Sequence, residues 1–207
     1  EIFNRIVSNV NISEKKERKI YCSRSRLKRA NKIEIGENII ENIFNQNGYV
    51  SVYFEDMSVR EQIQTINEAS EIVAISGTLP HNLLFAKTKI KMVILNKTYK
   101  LNLHQFIINQ ISKANVDFVD IDVSPMPVLY GVGPFIMRVT DNLKKYCENN
   151  NLKCEENVYY KISVKEKIWY AFRYLLYYRG KIIKDADVSI KELRNFYKDK
   201  QRINKGE

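Results

Sequence analysis

Between Arg18 and Val119 short strand-like runs alternate with helix-like runs, and the connections between them are brief. Parallel strands cannot be joined by a tight turn, and a helix is the usual crossover between them. The alternation therefore predicts βαβ units wound into an α/β fold with a doubly wound parallel sheet. Strands are expected over 18–23, 49–54, 71–75, 91–95 and 116–119. In the first, Ile20 and Cys22 alternate with Lys19 and Tyr21. Helices are expected over 36–47, from Ser58, over 79–87 and over 101–111. Ile39, Ile40, Ile43 and Phe44 fall at helical spacing, and Gly48 ends their helix. Ser58 with Glu61 reads as a capping box ahead of the stripe Ile63, Ile66 and Ala69. After Asp122 the regularity weakens. A Pro- and Gly-rich loop spans 124–133, Pro134 reads as the first residue of a helix to about Cys147, and helices follow at 164–178 and 189–198. The expected division is an α/β domain over 1–150 and a C-terminal helical extension over 151–207.

At 207 residues, 44% hydrophobic and 28% charged, the chain has the composition of a soluble globular protein with a sizeable core. No run of eighteen apolar residues is present to span a bilayer, and the amino end lacks the basic-then-apolar pattern of a signal peptide. The first residue is Glu1 rather than Met, so further residues are expected upstream. Cys22, Cys147 and Cys154 have no paired spacing and point to free thiols in a reducing cytoplasm. Two histidines, His81 and His104, are too few for a His-based metal site. The net charge of +10 is concentrated over 15–32 and beyond Lys161, and favours an anionic partner: a phosphorylated small molecule, nucleic acid or an anionic membrane.

Residues 76–82, Ser-Gly-Thr-Leu-Pro-His-Asn, lie between an apolar strand-like run and an apolar helix-like run. A strand that turns into a helix leaves several backbone N–H groups pointing one way, a geometry suited to phosphate. The plainer account is a tight turn that uses Gly77 for freedom and Thr78 as N-cap. Upstream, the first strand runs into Arg24, Arg26, Lys28 and Arg29. Guanidiniums there would share the carboxyl rim of the sheet with the 76–82 turn and could hold a diphosphate. A solvated basic loop is the alternative. Asp120 and Asp122 form a D-x-D triplet whose alternating carboxylates could hold Mg²⁺ or Mn²⁺, and Asp185 with Asp187 forms another.

Taken together, these segments resemble glycosyltransferase family 61, in its bacterial branch linked to capsular polysaccharide synthesis. The resemblance rests on the strand ending Ser23-Arg24-Ser25-Arg26, on Ile35-Gly36-Glu37-Asn38, and on Asn47-Gly48-Tyr49. It continues through Phe54-Glu55-Asp56-Met57-Ser58, Glu61-Gln62-Ile63 and Ser76-Gly77-Thr78-Leu79-Pro80-His81-Asn82 with Phe85. The clear part covers residues 19–95, and a fainter likeness through Asn96, Gln105, Asp120 and Gly133-Pro134-Phe135 reaches about Arg138. Many members carry His before the turn glycine, where this chain has Ser76, so the chain would either do without that His or have His81 compensate.

The resemblance implies a Rossmann-like, GT-B-type half, a nucleotide-sugar donor and inverting transfer without an obligatory metal cofactor. In that scheme Arg24, Arg26, Arg29, Ser76, Gly77, Thr78 and Asn82 bind the donor diphosphate, and Glu37 and His81 are the candidate catalytic residues, with Glu55 a further carboxylate. A metal would enter only if Asp120 and Asp122 acted as a D-x-D site. The acceptor would be a saccharide or a lipid-linked saccharide at the inner face of the cell membrane, and the amino-terminal half of the enzyme would lie outside this sequence. The helix over 164–178 carries Trp169, Phe172, Leu175 and Leu176 as an apolar stripe. Tyr170, Tyr174, Tyr177 and Tyr178 lie elsewhere around it, beside Lys165, Lys167, Arg173 and Arg179. That stripe reads as a face packed on the sheet or a missing domain, or as a basic aromatic surface resting on a membrane. Two rivals stand: a catalytically inactive interaction domain of a polysaccharide-assembly complex, and a nucleic-acid-binding module. The second is disfavoured by the lack of any recognised motif.

Overall fold

A computed structural model describes residues 2–10, 12, 17–28, 30, 33–98, 102–112, 114–127, 133–154, 161–184, 191 and 194–198. Arg29, Asp185, Asp187 and parts of the expected loop over 124–133 and helix over 189–198 lie outside the described residues.

The expected α/β sheet is present. Strands β1 (Arg18–Cys22), β3 (Val50–Val52), β4 (Ala69–Ile75), β5 (Lys91–Asn96) and β6 (Asn115–Asp120) form one parallel sheet in the order β3-β1-β4-β5-β6. Ile20 lies opposite Val50 and Ile72, and Val93 lies opposite Val73 and Asp117. The chain first winds outward from β1 to β3, then returns past β1 to β4 and continues the other way. The connections leaving β1 and β4 therefore diverge, and doubly wound sheets bind ligands at such a switch point.

Strand alternation explains the two cores. Tyr21, Val73, Ile75, Val93 and Leu95 pack on one face against helices α2 (Glu37–Gln46) and α5 (Asp141–Asn149). Ile20, Cys22, Ile72, Ala74, Met92 and Ile94 pack on the other, against α3 (Val59–Glu68), the turn Leu79–Phe85 and α4 (Leu103–Ser112). Tyr21 is thus as buried as its apolar neighbours, because a central parallel strand is covered on both faces. The capping box at Ser58 and Glu61 forms as expected. None of the three cysteines is in a disulfide, and burial pushes the Cys22 and Cys147 thiols up to about 12.

Three expectations need correction. The segment after Thr78 is a 3-10 helix over Leu79–Phe85, not an α-helix, and the Thr78 side chain makes no cap hydrogen bond. Pro80 donates no N–H, and Asn67 ends the segment by taking the Phe85 carbonyl (2.9 Å) and the Lys87 amide (2.8 Å). Seven residues so held do not develop a regular α-helix. Secondly, Pro134 does not start a helix: Phe135–Ile136 form strand β7, which pairs in parallel with β2 (Glu34–Ile35), and α5 begins later behind the N-cap Thr140. An additional helix, α1 (Ile2–Ser8), lies against the 3-10 segment, with Phe3 edge-on to Phe85.

The third correction concerns α6 (Val164–Lys184), whose apolar stripe is not packed on the sheet, which leaves another domain or a membrane as its readings. Its buried face is Tyr170, Tyr174 and Tyr178, packed with Ile35 and Ile136 of the small sheet, while Phe172, Leu175 and Leu176 are exposed. The tyrosines win because their hydroxyls can be satisfied there: Tyr170 donates to the Met126 carbonyl (3.2 Å) and Tyr174 to the Pro127 carbonyl (2.8 Å). At the start of α6, Ser163 and Glu166 form a reciprocal cap.

Candidate functional site

The carboxyl rim of the sheet at the β1/β4 switch point is built from two chain ends and one helix start. Arg24 leaves β1 and Gly77 leaves β4, and they meet: a Cβ on Gly77 would stand 3.0 Å from Arg24 Nη1. Gly77 has φ +151°, a conformation that favours glycine. The absence of a side chain at this position thus lets the Arg24 guanidinium rest on the turn.

Arg24 is held from below. Its Nη2 lies 3.1 Å from Glu34 Oε1, and the same oxygen takes Lys97 Nζ at 2.6 Å. Lys97 follows β5 and is 8% exposed; desolvation draws its pKa down, against the opposing pull of Glu34. The Lys97 ammonium also lies 4.8 Å from the Phe135 ring centre. The Arg24 backbone N–H donates to Glu37 Oε1. Glu37 opens α2 behind Gly36, and burial raises its carboxyl to about 7, partly offset by the Arg24 amide, with Glu34 adding to the rise. One turn on, Glu41 accepts from Ser23 Oγ (2.9 Å) and from Tyr53 Oη (3.3 Å). The Tyr21 hydroxyl, Arg24 Nε and Glu34 Oε2 are buried with no hydrogen-bond partner among the described residues. Desolvation, then Glu37 and Glu41, push the Tyr21 hydroxyl well above its ordinary range. Unpaired buried polar atoms are costly, so these three single out the rim as a candidate ligand site.

The remaining expected residues spread along the rim. Arg26 stands beyond β1, its Nη1 2.8 Å from Asp56 Oδ2 and its guanidinium carbon 3.7 Å from the Tyr53 ring centre. Ser76 Oγ accepts the Lys97 amide at 3.2 Å. The Asn82 amide turns toward Gln62 Oε1 at 3.4 Å, on the α3 side. His81 Nε2 lies 3.3 Å from Asn102 Nδ2, and partial burial, with His104 nearby, lowers its pKa. Thr78 is in the right-handed helical region just after Gly77. Glu55 sits in the 3-10 turn Phe54–Asp56, exposed. Residues 79–85 form a 3-10 rather than an α-helix, and Arg24 and Lys97, both paired with Glu34, are basic side chains placed beside this turn.

The D-x-D carboxylates are both engaged. Asp120 accepts from Asn96 Nδ2 (2.9 Å) and Asn142 Nδ2 (3.4 Å), and Asp122 accepts the Ser124 amide (2.9 Å). Among the described residues, no group of three or more His, Cys, Asp or Glu side chains is arranged to hold a metal ion.

Glu34, Glu41 and Lys97 were absent from the expected site. Lys97 could have been found by the rule that singled out Arg24, since it too is the first charge after a strand. Glu34 carries a weaker signal, a carboxylate between Ile33 and Ile35. Arg138 gives no local sign: it is 2% exposed, and it donates to the Met137 carbonyl (2.8 Å) and to Glu166, tying the small sheet to α6. No curated protein matches the chain. Residues 1–93, which hold β1, α2, β3, α3, β4 and the Arg24–Gly77 contact, match the family model Glycosyltransferase 61, and over that stretch the chain is similar to that family.

Proposed function

We propose that this chain is the donor-binding half of a glycosyltransferase, taking a sugar from a nucleotide-sugar donor during capsular or surface polysaccharide assembly in a bacterium. The observation that carries the reading is the contact of Arg24 with Gly77 at the switch point of a doubly wound sheet. The match of residues 1–93 to Glycosyltransferase 61 supports the same class of activity. Residues 1–150 form the donor domain in this reading, residues 151–207 its helical extension, and a second domain outside this sequence completes the enzyme.

A departing nucleoside diphosphate gathers negative charge as the glycosidic bond breaks, and fixed cations and N–H groups can offset it without reorganising. Arg24 offers its guanidinium over Gly77, with Lys97 behind it on the shared Glu34 carboxylate. Arg26 stands one strand away and can swing in only by leaving Asp56. Inversion needs a group to accept the acceptor's proton. Glu37, with its carboxyl near 7, suits that task by pKa, and His81, with a lowered pKa, suits it as a neutral imidazole. The reading is metal-independent. The exposed row Val164, Ile168, Phe172 and Leu175 on α6, edged by Lys165, Lys167 and Arg179, supports peripheral contact with the cytoplasmic membrane face. No helix among the described residues is long and apolar enough to cross a membrane.

The test is a thermal-shift and titration panel of nucleoside diphosphates and nucleotide sugars. A ligand at a hundred times its Kd adds about 2.7 kcal/mol of stability. Arg24→Ala should weaken binding about ten- to a hundredfold, the value of a lost charge-assisted contact. EDTA and Asp122→Asn should change little. If chelation abolishes binding and Asp122→Asn is the damaging change, the diphosphate is held through a cation instead. If no nucleotide stabilises the protein, the interaction-domain alternative takes its place, and salt-sensitive retention by polynucleotide would favour the nucleic-acid reading.

A further inference from the structure

Beside Arg24, on the far side of Glu34, the rim opens into a cavity of about 450 Å³ lined by Glu34, Ile35, Gly36, Lys165, Glu166 and Trp169. Its volume is within the range of small-molecule sites. Half of its wall comes from one face of α6, at positions spaced one and four residues apart, and lies outside the segment matched to the family model. That face is fixed in place by the Arg138–Glu166 ion pair and the reciprocal cap between Ser163 and Glu166.

The wall has a specific chemistry. Glu34 gives one carboxylate oxygen to both Arg24 and Lys97, while Oε2 is buried without a hydrogen-bond partner among the described residues. An unsatisfied carboxylate oxygen at the edge of a cavity calls for a donor from whatever fills it. Lys165, an exposed residue of α6, also lines the cavity. Trp169 is the single tryptophan of the chain and is half-buried; Arg173, 5.0 Å from its ring centre, is not among the cavity's lining residues. Ile35 adds aliphatic surface. An aromatic ring with one acceptor and one cation around it complements a ring that has an apolar C–H face and hydroxyls at its edge. That is the chemistry of a pyranose. Position agrees with it: Glu34, which lines the cavity, is 3.1 Å from Arg24, so a group bonded to a phosphate held by Arg24 would be within reach of the cavity.

We infer that this cavity receives the sugar unit of the donor, stacked on Trp169, with hydroxyls donating to Glu34 and accepting from Lys165. The inference rests on the donor-binding reading above and adds to it a specificity site outside the matched segment.

The single tryptophan reports on the cavity directly. Nucleoside diphosphates and the matching nucleotide sugars are titrated against the 207-residue chain, with tryptophan emission and thermal shift followed together. The expected result is that both ligand types stabilise the protein, only the nucleotide sugar changes Trp169 emission, and it binds about tenfold more tightly. Trp169→Ala should erase that advantage and leave nucleoside diphosphate affinity unchanged, and Lys165→Ala, at an exposed position, should reduce it in the same selective way. Trp169→Phe keeps a stacking surface and should retain most of it. If Trp169→Ala does not fold, Lys165→Ala and Trp169→Phe carry the comparison. Emission quenched equally by the nucleoside diphosphate would place the base in the cavity and overturn the inference. Loss of both ligands in equal measure, or of neither, would also overturn it. Failure of every nucleotide to stabilise the protein would instead sink the donor-binding reading, and the inference with it.

Discussion

Glu37 should make this protein less stable as the pH rises through neutrality, and replacing it with Gln should remove that penalty. The carboxyl is 5% exposed, and burial lifts it from an ordinary 4.5 to about 7. Between those two values the folded protein holds a proton that the unfolded chain has released. Stability is then greatest below about pH 4.5 and falls as the pH rises through 7, the reverse of an ion-paired carboxylate. A displacement of this size is worth about 3 kcal/mol when fully expressed, and most of it is lost between pH 5 and 7.5. Glu37→Gln keeps an acceptor for the Arg24 amide but has no charge to bury. The variant should match the wild type near pH 4.5 and exceed it by about 2–3 kcal/mol at pH 8. Urea denaturation of both proteins at half-unit pH steps measures this, and the difference between the curves cancels every other titrating group. Parallel curves, or a difference under about 1 kcal/mol at pH 8, would show that water or Arg24 solvates Glu37 well enough to keep it ionised, and the proton-accepting role would lose its basis.

Gly36→Ala and Gly48→Ala form a matched pair, since both positions have positive φ, +93° and +82°. At Gly48 no atom lies within 4 Å of the new Cβ, so only the backbone cost of about 1–2 kcal/mol applies. At Gly36 the Cβ also collides with the Met137 carbonyl and the Arg138 guanidinium, and thermal melts should show a further loss of about 1–3 kcal/mol. Ser58→Ala removes one half of the capping box and should cost about 1 kcal/mol by chemical denaturation, with no change in nucleotide binding. Phe172→Glu with Leu175→Glu should leave the melting curve unchanged, because both residues are exposed, and should abolish sedimentation with vesicles containing anionic lipid; binding that persists would remove the membrane surface from α6.

The sheet was legible in the sequence because its signals are local. Apolar runs of strand length, a capping box at Ser58 and Glu61, and glycines 36 and 48 at the helix ends all act within a few residues, and the α/β alternation follows from them. The rule that ligands bind at strand carboxyl ends was enough to bring Arg24 and Gly77 forward, and their side-by-side placement follows from β1 and β4 being neighbours. What the tertiary structure alone decided is whatever depends on partners far apart in the chain. Pro134 looked like a helix start because Pro suits that position, yet the residues after it pair with Glu34–Ile35 a hundred positions earlier. Which face of α6 packs on the small sheet was not legible because tyrosines rank below Phe and Leu as apolar residues, while the carbonyls of Met126 and Pro127 that receive their hydroxyls cannot be seen from the helix itself. Glu34 joins Arg24 to Lys97 across three separate elements, and Glu37 acquires a pKa near 7 only when the rim closes over it. Backbone propensity is a short-range property of residue types. Burial, charge pairing and the cavity against Trp169 are long-range properties of the packed chain, and they exist only once it has folded.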